Sequence, residues 1–565
     1  SVTSDGLTLG TVPASFDLGD KAKATFEVPV VANGLGNQTI EVALTTPEGK
    51  ILRKTLTVPV QNNDPAIARV SRFDLKKGQS FTFDADVFNG LLAGTGKATL
   101  TAGPIARLNA AGVLASLDRY PYGCTEQITS KALPLLYFDE MAGLLQIKGA
   151  DDLRGRLEDA VADVLSNQGA DGSFGLWAPS ENGGDMWLDA YVTDFLSRAK
   201  AMGYAVPDKA FRSALDNLRN QVNYSADFES GGEGLAYALM VLAREGAAAV
   251  GDLRYYADVK GDAFATPAAM AQLGAALASY GDQTRADAMF RRAGVALDAR
   301  ASAEVEQIFR ADYGTDFRDA AAVLALAAEA GSNAVDREAL TDRIATTRAL
   351  STQEATWTLL AAHALVGSAG SDGLSIDGVA ATGPLVRVMD SASGSMTLKN
   401  NGADTTLTVT TFGVPEVPEP AGGNGYAIDR SYFSMEGAPI ALDDIKAGMR
   451  FVTMLTVTPF GRGEARVMVN DPLPAGFEID SPNLVSSASE AMSALGLETE
   501  VAHSEFRQDR FLTAIDRYSS EPFRLGYVAR AISPGVFHLP AATVEDMYRP
   551  DLTGRSDAGT VTITE

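Results

Sequence analysis

The chain has 565 residues, 46% of them hydrophobic and 21% charged, a length that suggests about four domains of roughly 150 residues with apolar content enough for large cores. Its formal net charge of −25 argues against a phosphate-backbone partner, which needs clustered Lys and Arg, so nucleic acid is not an expected partner. A single cysteine cannot form an intrachain disulfide, and apolar runs such as 234–243 fall short of the ~18 residues of a spanning helix, so no transmembrane segment is expected.

The first residues, Ser1-Val2-Thr3-Ser4-Asp5, carry neither an initiator Met nor a signal-peptide pattern, and are expected to continue from something longer. Residues 24–31, 38–45 and 51–60 alternate apolar and polar side chains like half-buried strands, separated by the turn segments Gly34-Leu35-Gly36-Asn37 and Pro47-Glu48-Gly49-Lys50. They predict a β-sandwich domain, whole or truncated at its start. After Asn62-Asn63-Asp64-Pro65 a second short β region is predicted, with strands at 80–88 and 97–102, ending at Gly103-Pro104.

The hydrophobic period then changes to 3.6, and from Ile105 to about Gly367 the chain is alanine-rich and helical in pattern. Helices are predicted over 105–119, 124–145, 152–167, 187–202, 208–221, 231–244, 267–280, 283–293, 317–330 and 352–365, with weaker segments between. Paired helices of this length predict an α/α toroid or, failing that, a solenoid of stacked hairpins.

Within this block, Tyr120-Pro121-Tyr122-Gly123-Cys124-Thr125-Glu126-Gln127 holds the only cysteine and places a carboxamide three positions beyond it. If the segment is helical from Cys124, residues i and i+3 share a face about 5–6 Å apart, so the thiol can reach the Gln127 side-chain carbonyl. Attack of sulfur there with loss of ammonia gives an internal thioester, an acyl group with a good leaving group. A helix N-terminus is expected to lower the thiol pKa. The ordinary alternative for a lone cysteine is an inert, buried, small hydrophobe. His363, in Leu359-Leu360-Ala361-Ala362-His363-Ala364, reads as a packing residue, and no His, Cys or Glu cluster has metal-ligand spacing; neither metal nor cofactor is expected.

The loop Asn167-Gln168-Gly169-Ala170-Asp171-Gly172-Ser173-Phe174-Gly175-Leu176-Trp177 marks a hairpin of the toroid. Similar loops occur in terpenoid cyclases, which supplies an alternative reading as a cyclase-like enzyme, but no aspartate-rich acid motif accompanies it. Packing is the commoner role for Phe174, Trp177, Trp187 and Trp357. Strand patterns return near Gly373, at 395–399 and 405–411, before the Pro- and Gly-rich linker 416–425. Strands are again predicted at 449–458, 465–469, 523–531 and 535–540, with a turn at Asp471-Pro472-Leu473-Pro474-Ala475-Gly476-Phe477.

The octapeptide, followed by Thr129-Ser130 and Ala132-Leu133-Pro134-Leu135, closely resembles the thioester segment of bacterial alpha-2-macroglobulins, relatives of the animal alpha-2-macroglobulins and complement proteins. Trp187-Leu188-Asp189-Ala190-Tyr191-Val192-Thr193-Asp194-Phe195-Leu196 and Leu350-Ser351-Thr352-Gln353-Glu354-Ala355-Thr356-Trp357 resemble later toroid segments of that family in the same order. The resemblance implies a multidomain α+β chain in which an α/α toroid thioester domain (105–367) is inserted in a CUB-like β-sandwich (63–104 and 368–420). Macroglobulin-like β-sandwiches (1–62 and 421–565) would flank it. It implies a Cys124–Gln127 cross-link shielded from water by Tyr120 and by Met547, in Val544-Glu545-Asp546-Met547-Tyr548-Arg549-Pro550.

The function so implied is broad-spectrum protease inhibition by covalent capture of the attacking protease, a single-turnover acyl transfer to lysine amines rather than an enzyme activity. In some complement proteins a toroid histidine redirects the thioester to hydroxyls. The three histidines here, His363, His503 and His538, lie outside the region where that residue would fall, so amines are the expected nucleophiles. Target proteases, small amines such as methylamine and a cell-wall synthase are the implied partners. A periplasmic monomer is implied, lipid-anchored to the inner membrane in its full-length form. No bait region is recognisable, so this stretch alone is not expected to trap a protease.

Overall fold

A computed structural model describes residues 1–139, 152–179, 184–301, 309–365, 373–383, 385–461, 463–480, 495–497 and 501–565. The chain divides into two compact units, Ser1–Pro65 and Ala66–Glu565. In the first, Val2–Asp5, Gly36–Thr45 and Ile51–Val60 form an antiparallel sheet, and Leu7–Leu9 pairs with Val30–Ala32. Of the predicted strand at 24–31 only its end forms, and Phe26, Val30 and Val31 are exposed: alternation specifies a strand only where another layer buries its apolar side.

The second unit holds two sandwiches and a helical block. One sandwich draws strands from both sides of the helices. Leu385–Asp390, Lys97–Ala102, Thr405–Gly413 and Ile67–Leu75 lie side by side in one sheet; Val379–Ala380, Leu374–Ile376, Met396–Asn400 and Ser80–Phe83 form the other. Phe83, Leu100, Leu398 and Leu407 are among the side chains filling the space between them. The strand expected to reach residue 88 stops at Phe83, because the Asp84 carboxylate accepts from the Asp86 N–H at 3.0 Å and starts a short 3-10 turn, Ala85–Phe88.

Thirteen helices occur among the described residues: α1 (Pro104–Arg107), α2 (Ala110–Arg119), α3 (Thr125–Leu135), α4 (Leu153–Ser166), α5 (Met186–Ala201), α6 (Asp208–Asn223), α7 (Glu233–Arg244), α8 (Val250–Val259), α9 (Pro267–Ser279), α10 (Gln283–Ala301), α11 (Asp316–Glu329), α12 (Arg337–Ile344) and α13 (Thr352–Leu365). Helix α3 packs on α5, α5 on α7, α7 on α9, α9 on α11, α11 on α13, and α13 returns to α3. The ring closes, which makes the block a toroid rather than an open solenoid. Inner helices are buried on nearly all faces, as in α11, where residues 318–327 are all buried; outer helices such as α4 and α6 bury one stripe. Alanine-rich sequences suit the inner ring, since small side chains let helix axes approach on both sides.

The single helix expected over 105–119 is broken at Asn109, which adopts φ 51° and whose Oδ1 accepts from Thr410 Oγ1 at 3.0 Å. Gly112 lies beside this bond, and a Cβ there would meet Thr410 Oγ1 at 2.3 Å, so only glycine lets α2 sit this close to the sheet. The helix expected over 124–145 ends instead at Leu135, with Leu136 as its C-cap and Pro134 in its last turn, and residues 140–145 lie outside the described ones.

The last sandwich faces a six-stranded sheet (Gly422–Gly423, Arg549–Arg555, Thr543–Asp546, Ala465–Pro472, Arg510–Arg517, His503–Phe506) against a five-stranded one (Pro439–Ile440, Tyr426–Ser434, Arg450–Pro459, Phe523–Ala531, Phe477–Asp480). Phe451, Leu455, Val467 and Leu525 fill its core, and buried Asp471 is paired with Arg430 and accepts from the Tyr527 hydroxyl at 2.8 Å. No helix among the described residues is long and apolar enough to cross a membrane.

Candidate functional site

Cys124 is fully buried and does not belong to α3; it is the N-cap, with extended backbone angles of φ −70° and ψ 165°. This differs from the expectation of a helix starting at the cysteine, and it changes how the pair meets. A capping box forms: the Gln127 N–H donates to the Cys124 sulfur, and the Cys124 N–H donates to Gln127 Oε1 at 3.1 Å. The Gln127 carboxamide is thereby folded back over the N-cap with its carbonyl polarised by a backbone donor. Its nitrogen, Nε2, is buried without a hydrogen-bond partner. An unsatisfied buried amide of this kind costs about 1–3 kcal/mol.

The thiol pKa is pushed up, not down. Burial is the main cause, the neighbouring Glu126 carboxylate adds to it, and the N–H groups of Gln127 and Glu126 and the Tyr548 hydroxyl only partly offset it. The helix-terminus effect holds for a solvated thiol and is overridden once water is removed.

Glu126 is the charged residue most deeply built into the site. It accepts from Ser130 Oγ at 2.6 Å, Gln353 Nε2 at 2.7 Å, Thr352 Oγ1 at 3.0 Å to each oxygen, and the Tyr548 hydroxyl at 3.1 Å. Burial pushes its pKa up, and these donors pull it back. Ser130 Oγ also lies 2.8 Å from the Tyr191 hydroxyl, and Thr356 Oγ1 donates to the Ser130 carbonyl at 2.9 Å, so α3, α5 and α13 meet at this carboxylate.

Both residues suggested as shields lie where the toroid meets the last sandwich. Met547 is 4% exposed and shares one apolar cluster with Cys124, Tyr122, Met468, Leu512 and Tyr548. Tyr120 packs edge-on against Tyr122, with ring centres 5.1 Å apart, and its hydroxyl donates to Glu545 Oε1 at 2.9 Å. The two domains thus exchange tyrosines: Tyr120 of the toroid reaches a sandwich carboxylate, and Tyr548 of the sandwich reaches the toroid's Glu126. Burial pushes Glu545 up to about 7, with Asp546 adding to the rise and Tyr120 opposing it. Farther along the same interface, Trp177 stacks on His503 with ring centres 4.5 Å apart and planes 4° apart, and the Arg466 guanidinium lies 4.2 Å from the Tyr313 ring centre.

The remaining candidates pack. Phe174, Trp187 and Trp357 are buried in the toroid core, and His363 stacks on Tyr137 at 4.5 Å. At Gly172, one of three glycines in the 167–177 loop, φ is 90° and a Cβ would strike the Ser213 carbonyl at 2.2 Å, which requires glycine there. No group of three or more His, Cys, Asp or Glu able to hold a metal occurs among the described residues.

Sequence reading had passed over Glu126, Glu545 and Tyr548. Only Glu126 carried a local signal, a carboxylate in a segment otherwise patterned for burial.

Residues 98–241 match the A-macroglobulin TED domain, and residues 425–551 match the bacterial alpha-2-macroglobulin MG10 domain. The chain is 29% identical over 591 residues to alpha-2-macroglobulin of Escherichia coli (strain K12), covering 97% of this chain and 35% of that protein. It is 28% identical over 593 residues to alpha-2-macroglobulin of Xylella fastidiosa (strain Temecula1), covering 98% and 36%. It therefore spans about a third of the length of these curated relatives. Among solved structures, it is similar to native Escherichia coli alpha-2-macroglobulin spanning domain MG7 to the C-terminus, with TM-score 0.86, 27% identity, and 100% of this chain and 94% of that one covered. It is also similar to Salmonella alpha-2-macroglobulin reacted with methylamine, with TM-score 0.85, 28% identity, and 100% and 38% covered.

Proposed function

This chain corresponds to the C-terminal portion of the bacterial alpha-2-macroglobulins, and from that premise we propose that it carries an internal Cys124–Gln127 thioester by which the whole protein covalently captures proteases. In this reading the Cys124 sulfur replaces the Gln127 nitrogen, and ammonia leaves. A protease lysine amine later attacks Cδ, giving an amide and returning Cys124 as a thiol. The transfer happens once per molecule, so the chain acts as an inhibitor rather than an enzyme.

The observation that carries the reading is the Gln127 carboxamide itself. Its oxygen is held by the Cys124 N–H, which would stabilise negative charge developing on that oxygen during attack, while its nitrogen is buried and unpartnered. Conversion to a thioester removes the one poorly placed group and keeps the well-placed one. A thioester survives only where water is excluded, and Tyr120 with Met547 supplies that cover in a docked sandwich. Capture then requires the sandwich to move away, which in the whole protein would follow cleavage of a segment outside this chain. The same resemblance supports a periplasmic location, with proteases and small amines as reactants.

Intact mass of freshly prepared protein tests the reading. The mass should fall short of the sequence mass by one ammonia; methylamine should then add its full mass and expose one maleimide-reactive thiol. Full sequence mass in fresh protein, with the thiol alkylating before any amine is added, would overturn it and leave a helical scaffold.

A further inference from the structure

Forming the thioester requires the thiol to lose its proton, and Cys124 is fully buried, so a protein group has to take it. Polar groups beside the sulfur include the N–H groups of Gln127 and Glu126 and the Tyr548 hydroxyl, and Cys124 and Tyr548 share one buried cluster. Backbone amides only donate. A phenol hydroxyl can accept a proton on its oxygen while giving up its own, and Tyr548 directs its own toward Glu126 Oε2 at 3.1 Å. Lys131, the cation of α3, is engaged elsewhere, with Nζ bonded to the carbonyls of Tyr120 and Tyr122.

We propose that Tyr548 and Glu126 form a proton relay for thioester formation, so that the last sandwich helps make the bond as well as cover it. The inference rests on the thioester reading above. As the sulfur lone pair forms the Sγ–Cδ bond, the thiol proton passes to the Tyr548 oxygen and the Tyr548 proton passes to Glu126. The Cδ–Nε2 bond breaks as the relay resets: Glu126 returns its proton to the Tyr548 oxygen, Tyr548 gives up the proton that came from sulfur, and the departing nitrogen takes it and leaves as ammonia. One thiol and one carboxamide become one thioester and one ammonia.

Burial keeps the Glu126 carboxylate more basic than an ordinary glutamate, which suits an acceptor. The other ionisable groups around the pair are Tyr191 and Lys131 on the toroid side and Tyr313 and Arg466 on the side of Tyr548. The same contact orders events. Tyr548 reaches Glu126 only when the sandwich is docked, so the reactive bond forms only in molecules already able to shield it. Tyr548 lies beside the reacting sulfur and bonds to Glu126, which acts through it.

The test follows ammonia loss in newly made full chain, sampled at intervals after translation is stopped and incubated at several pH values, by intact mass. Wild type should reach the one-ammonia deficit quickly, with weak pH dependence. Tyr548→Phe keeps the ring and removes the relay; its ammonia loss should be about a hundredfold slower and rise about tenfold per pH unit, because solvent hydroxide must now take the proton. Leu512→Val trims the same buried apolar cluster but leaves Tyr548, Glu126 and their partners in place, and should form the bond normally. Equal rates in wild type and Tyr548→Phe overturn the relay, and so does equal slowing in both variants, which marks a packing role. Wild type at full mass instead removes the thioester reading itself.

Discussion

Glu545→Gln should tighten the cover over Cys124 and slow methylamine uptake. In the docked sandwich, burial raises Glu545 from the ordinary glutamate value of 4.5 to about 7. The docked form therefore holds the proton more tightly than the undocked one. Stability of docking contributed by that proton is fully present below about pH 4.5 and is lost as pH rises towards about 7, after which it stays flat. Taken at face value the shift corresponds to about 3 kcal/mol, but Glu545 is partly exposed, and screening reduces this to about 1–2 kcal/mol.

A glutamine has no charge to desolvate and still accepts from the Tyr120 hydroxyl. Methylamine uptake, read as thiol release under excess amine and corrected for the free-base fraction, should be about five- to thirtyfold slower in the variant at about pH 8. Wild-type uptake should accelerate by about five- to thirtyfold as pH rises from about 4.5 to about 7 and then stay flat, while that of the variant stays level throughout. Equal rates in the two proteins across this range, or a faster variant, would refute the reasoning.

Tyr120→Phe removes the 2.9 Å bond to Glu545 and leaves that carboxylate without its donor, so thiol release by methylamine should be about tenfold faster at neutral pH. Trp177→Ala deletes the stack on His503 and loosens the same docking by about 1 kcal/mol, measured as a several-fold rise in the same rate with the ammonia deficit retained. Cys124→Ala should give full sequence mass and take up no methylamine, by mass spectrometry, at any amine concentration. Trp357→Ala, in the closed ring of inner helices, should cost about 3–5 kcal/mol in urea unfolding of the helical block.

The residues that perform the proposed chemistry were legible, because their relation is local. Cys124 and Gln127 are three apart, Gly123 precedes a run of helical period, and a thiol and a carboxamide at that spacing can be paired on paper. Helix α13 was predicted at its observed limits, since 352–365 carries both an N-terminal signal and a continuous apolar period. The strand at 523–531 was likewise placed from its alternation. Local reading failed wherever a distant layer was decisive. The apolar residues of 24–31 have no layer to pack on and stay mostly outside a strand, while Asn109 interrupts a good helical pattern to meet Thr410, 301 residues away.

What the sequence determined alone was most of the helices and the proposed reacting pair, because hydrogen bonds and side-chain contacts three or four residues apart encode both. Tertiary structure decided the rest. It placed Cys124 as a cap rather than a first helical residue, closed the helices into a ring, and reversed the expected shift of the thiol by burying it. It also brought Tyr548 to Glu126 across 422 residues, a pairing set by how two domains dock and by no local pattern.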